Sequence, residues 1–252
     1  MEVKGVVHPP GAGGGKVGKE EFWTLRFTLQ PWRNHEGRIQ ESKLSLSRPG
    51  LTREELKEQM AMISSYEVLK LKISQPEAKE AFFMARILDE PVKFEEDGEL
   101  NELSLKLQEP LTLTDARFGT LSFDRSLNWF ECAADWQGKR IHLYIALDKE
   151  DSAEASLENA GRLFLESSDW EAKIRDFAVE SLLELKNDTW LDEDEEMVNA
   201  AEFKERISLQ TITVYANGDF EFCLNDGGLF WGHAILIAAN LSNGLKTANI
   251  VG

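Results

Sequence analysis

A chain of 252 residues can form one large domain or two ordinary ones, and its hydrophobic content of 42% is typical of a folded protein. A net charge of −17 argues against binding to nucleic acid or to anionic membrane surfaces, because both need clustered lysine and arginine. No apolar run approaches the roughly 20 residues of a membrane-spanning helix. The N-terminus has no secretory pattern, so we expect the protein to stay in the cytoplasm.

The negative charge is concentrated in the second half of the chain. Residues 1–117 carry 17 basic and 20 acidic side chains, whereas residues 118–252 carry 11 basic and 25 acidic ones. An acidic half of this kind can steer a basic partner toward itself, or it can serve solubility alone. The sequence leaves both interpretations open.

The first half of the chain is predicted to begin with strands. Alternating apolar residues predict strands at residues 2–7, 22–29, 41–47 and 66–73. Between the first two strands, the glycine-rich segment 8–15 is predicted to be a flexible loop. It does not match a phosphate-binding loop, because its glycines are wrongly spaced from Lys16 and a strand follows instead of a helix.

Helical segments are also predicted in this half. Thr52 is expected to cap the first helix, with Glu55 as its capping-box partner. Residues 77–88 are expected to form a second helix, which could continue into another strand. The alternating segment 103–107 is predicted to be a strand.

A domain boundary is predicted at residues 110–115, close to the point where the charge balance changes. This boundary gives an N-terminal domain of residues 1–115 and a C-terminal domain of residues 116–252. Each is expected to be an α+β domain in which helices accompany an antiparallel sheet.

The second half is predicted as three strands, then helices, then four strands, the order of a segregated α+β domain. The opening strands are predicted at residues 118–124, 129–136 and 140–147. The helices are predicted at residues 153–166, 170–185 and 200–206. The closing strands are predicted at residues 209–215, 220–225, 233–239 and 246–251.

Local signals predict the turns and helix starts of this half. Gln137-Gly138 is predicted to be a tight hairpin turn, and Asn217-Gly218 and Asn243-Gly244 are predicted to be type I′ turns. Asp169 and Asn199 are expected to cap the helices that follow them.

The cysteines and histidines form no metal-binding or catalytic pattern. Cys132 and Cys223 lie far apart without a CxxC spacing, so we expect buried, inert thiols and neither a disulfide framework nor a cysteine zinc site. The four histidines show no ligand spacing, and no serine lies in a nucleophile motif. We therefore predict no metal, no cofactor and no catalytic residue.

The segment 225–233 combines residue types that suit binding. Glu221 and Asp226 lie near it, and a glycine before His233 can turn that histidine toward a carboxylate. In this interpretation, His233 beside Asp226 acts as a general base or as a pH-sensitive contact. In the alternative interpretation, the apolar residues 229–231 fill the core and His233 is hydrogen-bonded to a backbone carbonyl.

Trp190 lies where the second long helix ends, next to the acidic loop 192–196. It either locks the loop that leaves the helix onto the sheet or, if it is partly exposed, anchors an interface. The candidate binding residues are therefore Trp190, Glu221, Asp226, Trp231 and His233.

Five blocks of the second half carry a family resemblance. The blocks are 118–121, 124–130, 183–191, 215–222 and 226–233. In order and spacing, they resemble a bacterial family of unknown function, catalogued as domain of unknown function 2262. The resemblance covers residues 116–252, and the first half resembles the companion segment that precedes that domain. Since the family has no established activity, the resemblance implies no catalytic residue.

The favoured function is a non-enzymatic interaction module of the bacterial cytoplasm that binds a basic protein. One version, by analogy with other small acidic α+β families, is an immunity-type inhibitor that covers a basic toxin. The alternative is a small-ligand-binding protein or a hydrolase-like enzyme that uses the Asp226–His233 segment. The sequence leaves the oligomeric state open.

Overall fold

The computed structural model describes residues 1–16, 21–193 and 195–252. The chain forms two compact units, Met1–Pro110 and Leu111–Gly252. Within the described residues, no helix has the length and apolar character needed to cross a membrane. Each unit combines a β-sheet with helices, so the predicted α+β class is confirmed.

The described part of the first unit is built on a nine-stranded sheet. Its strands are β1 (Glu2–Val7), β2 (Gly13–Gly15), β3 (Trp23–Arg33), β4 (Ile39–Gln40), β5 (Lys43–Leu51), β6 (Val68–Lys72), β7 (Glu77–Ala78), β8 (Phe82–Arg86) and β9 (Val92–Lys93). The main path is β7-β8-β5-β3-β1-β6-β9, and β2 and β4 also pair with β3. The β5–β8 pair is parallel and the other pairs are antiparallel.

Two helices, α1 (Arg53–Ala61) and α2 (Gly98–Gln108), accompany this sheet. The predicted capping box of α1 is confirmed. The Thr52 hydroxyl accepts a hydrogen bond from the Glu55 amide at 3.2 Å, and the Glu55 carboxylate accepts one from the Thr52 amide at 2.8 Å. Leu56, on the inner face of α1, is buried in the core of the unit.

The predicted helix at residues 77–88 is wrong, because β7 and β8 form a hairpin there. The Lys79 amide closes the hairpin on the Phe82 carbonyl at 2.8 Å. β8 pairs in parallel with β5, and Phe83 packs edge-on against Trp32. The hydrogen bonds that β8 forms with the edge of β5 therefore override the local helical preference of this segment.

The predicted strand at residues 103–107 is also wrong, since these residues belong to α2. Asp97 caps this helix by accepting a hydrogen bond from the Leu100 amide at 3.2 Å. Leu100, Leu103 and Leu107 pack together in a small core. Their spacing is that of one helical face, and it prevails over the short alternation that the segment also contains.

The predicted loop at residues 8–15 ends in the short strand β2. Gly13–Gly15 pairs with Thr24–Arg26 of β3. A Cβ atom on Gly14 would lie 2.4 Å from a methyl group of Leu56, so the absence of a side chain lets α1 approach this strand closely.

The described part of the second unit contains an eight-stranded sheet whose strands follow chain order. They are β10 (Thr112–Asp115), β11 (Gly119–Asp124), β12 (Trp129–Trp136), β13 (Lys139–Ala146), β14 (Ser208–Val214), β15 (Asp219–Asn225), β16 (Ala234–Asn240) and β17 (Gly244–Val251). The helices α3 (Glu154–Leu165), α4 (Ser167–Thr189) and α5 (Ala200–Arg206) lie between β13 and β14. The predicted order of strands, helices and strands is confirmed, with β10 as an additional first strand.

The β13–β14 pair is parallel, whereas the antiparallel sheet prediction holds for the other pairs of this unit. Parallel neighbours need a long crossover connection, and the three helices supply it. The helices cover one face of the sheet. Phe220 and Phe222 of β15 face them, and Trp170 of α4 packs edge-on against Phe220 at 4.9 Å between ring centroids.

Two local predictions for this unit need correction. At Asn217-Gly218 and Asn243-Gly244, only the glycines have a positive φ, so neither turn is the predicted type I′. The Asn217 side chain instead accepts a hydrogen bond from the Asp219 amide at 3.0 Å. Asp169 lies inside α4 and does not cap it, because α4 begins at Ser167, directly after α3.

The remaining local signals of this unit are confirmed. Gln137 and Gly138 have φ values of 53° and 76°, which is the left-handed pair of a tight hairpin turn. Asn199 caps α5 by accepting hydrogen bonds from the amides of Ala201 and Glu202, both at 3.0 Å. These short-range signals succeed because they depend on only a few consecutive residues.

Candidate binding surface

The loop between β15 and β16, residues 226–233, is organised by one buried carboxylate. Asp226 is only 2% exposed. It accepts hydrogen bonds from the amides of Gly228 at 3.2 Å, Phe230 at 2.7 Å and Gly232 at 3.1 Å. The Asp226 carboxylate thus satisfies three backbone amides, which in a strand would be hydrogen-bonded to a neighbouring strand. We call residues 226–233 the Asp226 loop.

In the Asp226 loop, two neighbouring aromatic side chains have opposite environments. Phe230 is fully buried, whereas Trp231 is 59% exposed. Trp231 has a φ of 55°, a left-handed conformation that is costly for a bulky residue, and Asp226 holds the amides on both sides of it. The interpretation that residues 229–231 all fill the core is correct for Leu229 and Phe230 and wrong for Trp231.

Three of the predicted binding residues meet at this loop. The ring centroid of Trp190 lies 4.7 Å from that of Trp231 and 5.4 Å from that of His233. Trp190 also packs edge-on against the buried Phe230 at 5.6 Å. We call Trp190, Trp231 and His233 the aromatic surface, because they join the end of α4 to the start of β16.

A buried lysine holds the end of α4 in place. Lys186 is fully buried. Its ammonium donates to the carbonyl of Trp190 at 2.8 Å and to the carboxylate of Glu195 at 2.5 Å. The hydrogen bond from Lys186 also holds the pKa of the Glu195 carboxyl below its ordinary value.

Arg206 connects this network to the Asp226 loop. Its guanidinium donates to the Gly227 carbonyl at 3.2 Å and to the second oxygen of Glu195 at 3.4 Å. Glu195 therefore bridges two cations, one bonded to the end of α4 and the other bonded to the Asp226 loop. Sequence reasoning missed this network, although Lys186 continues the apolar face of α4 four residues after Leu182. A lysine at a core-facing position was the available signal.

Glu221 does not belong to the aromatic surface. It lies on the face of the sheet opposite to Phe222, and its carboxylate accepts a hydrogen bond from the Tyr215 hydroxyl at 3.1 Å. Burial and the nearby Glu221 charge raise the pKa of Tyr215 to about 12.

Asp226 is next to the aromatic surface, but its hydrogen bonds go to loop amides. His233 instead packs edge-on against Trp190. The pair of Asp226 and His233 expected for a general base is thus not among the hydrogen bonds of the described residues. Asp226 acts as a structural acceptor that shapes the loop.

Exposed carboxylates lie close in sequence to Trp190 of the aromatic surface. Asp188 lies two residues before Trp190, and Asp192 and Glu193 lie two and three residues after it. All three side chains are exposed, and none forms an ion pair within the described ranges. Asp194, part of the predicted acidic loop, lies outside the described residues.

Other chemical groups of the chain are placed as follows. Cys132 and Cys223 are half-buried, and burial raises the pKa of both thiols, which keeps them protonated at neutral pH. Within residues 1–16, 21–193 and 195–252, no group of three or more histidine, cysteine, aspartate or glutamate side chains is arranged to hold a metal ion.

The comparisons with known proteins identify families without an assigned function. Residues 115–250 match the family described as "Uncharacterized protein conserved in bacteria (DUF2262)", and residues 1–107 match "Domain of unknown function (DUF7021)". No curated protein and no solved structure gives a significant match. The first match covers more than half of the chain, so the protein belongs to the bacterial DUF2262 family, and the resemblance inferred from the sequence is confirmed.

Proposed function

We propose that this member of the DUF2262 family is a protein-interaction module of the bacterial cytoplasm and that it binds a basic partner through the aromatic surface. The observation that carries the proposal is Trp231, which is 59% exposed on a loop organised by the buried Asp226. Exposed tryptophans are uncommon on protein surfaces, and tryptophan is enriched among residues that dominate binding energy.

The hydrogen bonds and ion pairs that order the residues around Trp231 favour a role in partner binding. Asp226 orders the loop on one side, and the Lys186–Glu195–Arg206 network orders the end of α4 on the other. An anchor that is already ordered loses little conformational entropy when a partner binds. The cost of the left-handed backbone at Trp231 is consistent with a side chain kept exposed for contact.

Charge favours a basic partner. Residues 118–252 carry 25 acidic and 11 basic side chains, and the exposed Asp188, Asp192 and Glu193 flank Trp190. Complementary charge speeds the encounter of two proteins and suppresses wrong partners. An immunity-type inhibitor that covers a basic toxin is one form of this proposal.

Affinity purification from the native host tests the proposal. The full chain is used as bait in three forms: wild type, Trp231→Ala and the control Leu127→Ala. Leu127 lies in the β11–β12 turn and is 51% exposed, so the control also removes an exposed apolar side chain. We expect a basic protein to be retained by wild type and by Leu127→Ala and to be lost with Trp231→Ala. Equal retention by the two variants would contradict the proposal.

A further inference from the structure

We infer that the partner residue seated on the aromatic surface is an arginine, stacked on Trp231 and paired with the carboxylate of Asp188 or Asp192. The inference rests on the proposed function and adds to it the chemistry of the contact. The occupant is a protein segment that presents a guanidinium group.

Stacking is the first argument. Trp190 contacts Trp231 at a ring-centroid distance of 4.7 Å, and Trp231 is nevertheless 59% exposed. The indole therefore offers a large accessible area beside a second indole. A guanidinium is planar and weakly hydrated, so it stacks on aromatic faces more readily than the compact, strongly hydrated ammonium of lysine.

Unpaired negative charge is the second argument. Asp188 and Asp192 are exposed, and each lies two residues from Trp190, within about 8 Å along the chain between Cα atoms. The cations that underlie this region are already engaged, because Lys186 and Arg206 both pair with Glu195. Among the described residues neither carboxylate belongs to an ion pair, so each can accept a partner guanidinium through two parallel hydrogen bonds.

The charge of the chain also decides against two other occupants. A second copy would bring another net charge of −17 to an acidic surface. An anionic lipid surface would be repelled in the same way. A positively charged protein segment is the occupant that this charge attracts.

Capped nonapeptides of arginine and of lysine provide the probes, since they carry equal charge and differ in the head group. Their affinities for the full chain are measured by isothermal titration calorimetry at about 0.15 M salt, where long-range attraction is largely screened. The proteins are wild type, Trp231→Ala and Phe22→Ala. Phe22 is 48% exposed and belongs to the first unit, so it controls for stacking on any exposed aromatic ring.

We expect the arginine peptide to bind wild type and Phe22→Ala about fivefold more tightly than the lysine peptide, in line with a partly exposed cation–π contact. In Trp231→Ala this preference becomes smaller, because only the pairing with a carboxylate still favours arginine. The affinity of the lysine peptide changes less than that of the arginine peptide, because an ammonium stacks more weakly on an indole and none of the substitutions changes the net charge.

Three results would overturn the inference. One is equal affinity of the two peptides for wild type, and another is an arginine preference that is as large in Trp231→Ala as in wild type. The third is dimerisation of wild type in sedimentation experiments that Trp231→Ala abolishes, because the occupant would then be a second copy. If Trp231→Ala loses the cellular partner while the peptides bind wild type equally, the proposed function stands and the arginine is rejected.

Discussion

Phe230 and Trp231 are adjacent in the sequence and have opposite environments. The difference arises from Asp226, whose carboxylate binds the amides of Phe230 and Gly232 and leaves Trp231 in a left-handed conformation between them. No periodicity in the sequence reports such a turn, since it depends on hydrogen bonds that reach four and six residues along the chain. The exposure of Trp231 could therefore not be predicted from the sequence and is seen only in the structure.

Thermal melts of Phe230→Ala and Trp231→Ala test this difference. Phe230 is fully buried, so its truncation should cost about 3–5 kcal/mol of unfolding free energy, which is typical of a large buried aromatic residue. Trp231 is mostly exposed, and its truncation removes a surface contact with Trp190. This truncation should lower the unfolding free energy by about 1 kcal/mol or less. A Trp231→Ala variant that unfolds as easily as Phe230→Ala would show that Trp231 is part of the core.

At the scale of elements, the end of α4, α5 and the Asp226 loop are joined by Lys186, Glu195 and Arg206. The sequence predicted both helices and the strands around the loop, because the apolar spacing of α4 and the Asn199 cap of α5 are local signals. It did not predict the connection between them. Ion pairs between elements depend on tertiary position, and an acidic chain offers many alternative partners for one lysine.

A double-mutant cycle measures the Lys186–Glu195 pair. Glu195→Gln leaves a buried ammonium without its counter-ion, and we expect a loss of about 3–5 kcal/mol in unfolding free energy. The double variant Lys186→Met with Glu195→Gln should recover much of this loss, because it also removes the buried charge. Urea unfolding of wild type, Glu195→Gln, Lys186→Met and the double variant gives the coupling energy. Additive effects of the two substitutions would mean that the pair does not couple these elements.

The same pair predicts a pH dependence. The pKa of Glu195 is lowered in the folded state through its hydrogen bond with Lys186. Its contribution to stability is therefore fully present above the unfolded value near 4.5 and is lost as pH falls through the lower folded value. In urea unfolding from pH 7 to pH 3, the stability difference between wild type and Glu195→Gln should shrink below about pH 4.5. A difference that stays constant down to pH 3 would exclude titration of Glu195 from the acid response.

At the scale of the whole molecule, the sequence predicted the α+β class and the order of elements in the second half. It was less successful in the first half. Residues 77–88 and 103–107 each contain a short pattern that fits both helix and strand, and pairing with β5 or packing of α2 decides between them. Long-range contacts of this kind are not encoded in any one segment.

The charge of the molecule predicts how association depends on salt. If the acidic second half steers a basic partner, the association rate should fall markedly when salt is raised from about 0.01 M to 0.15 M. Over this range the Debye length decreases from about 30 Å to about 8 Å. Stopped-flow mixing of the chain with its purified partner gives the rate, and a rate that does not change with salt would show that electrostatic steering does not contribute to association.

The proposed function depends above all on Trp231 as the anchor of a protein partner. Its most direct test is the dissociation constant of the retained partner for wild type and for Trp231→Ala, measured with the melting temperatures of both proteins. An anchor worth about 2 kcal/mol or more predicts that Trp231→Ala weakens binding about 30-fold or more while the melting temperature stays within a few degrees. Dissociation constants that agree within about twofold would contradict the claim.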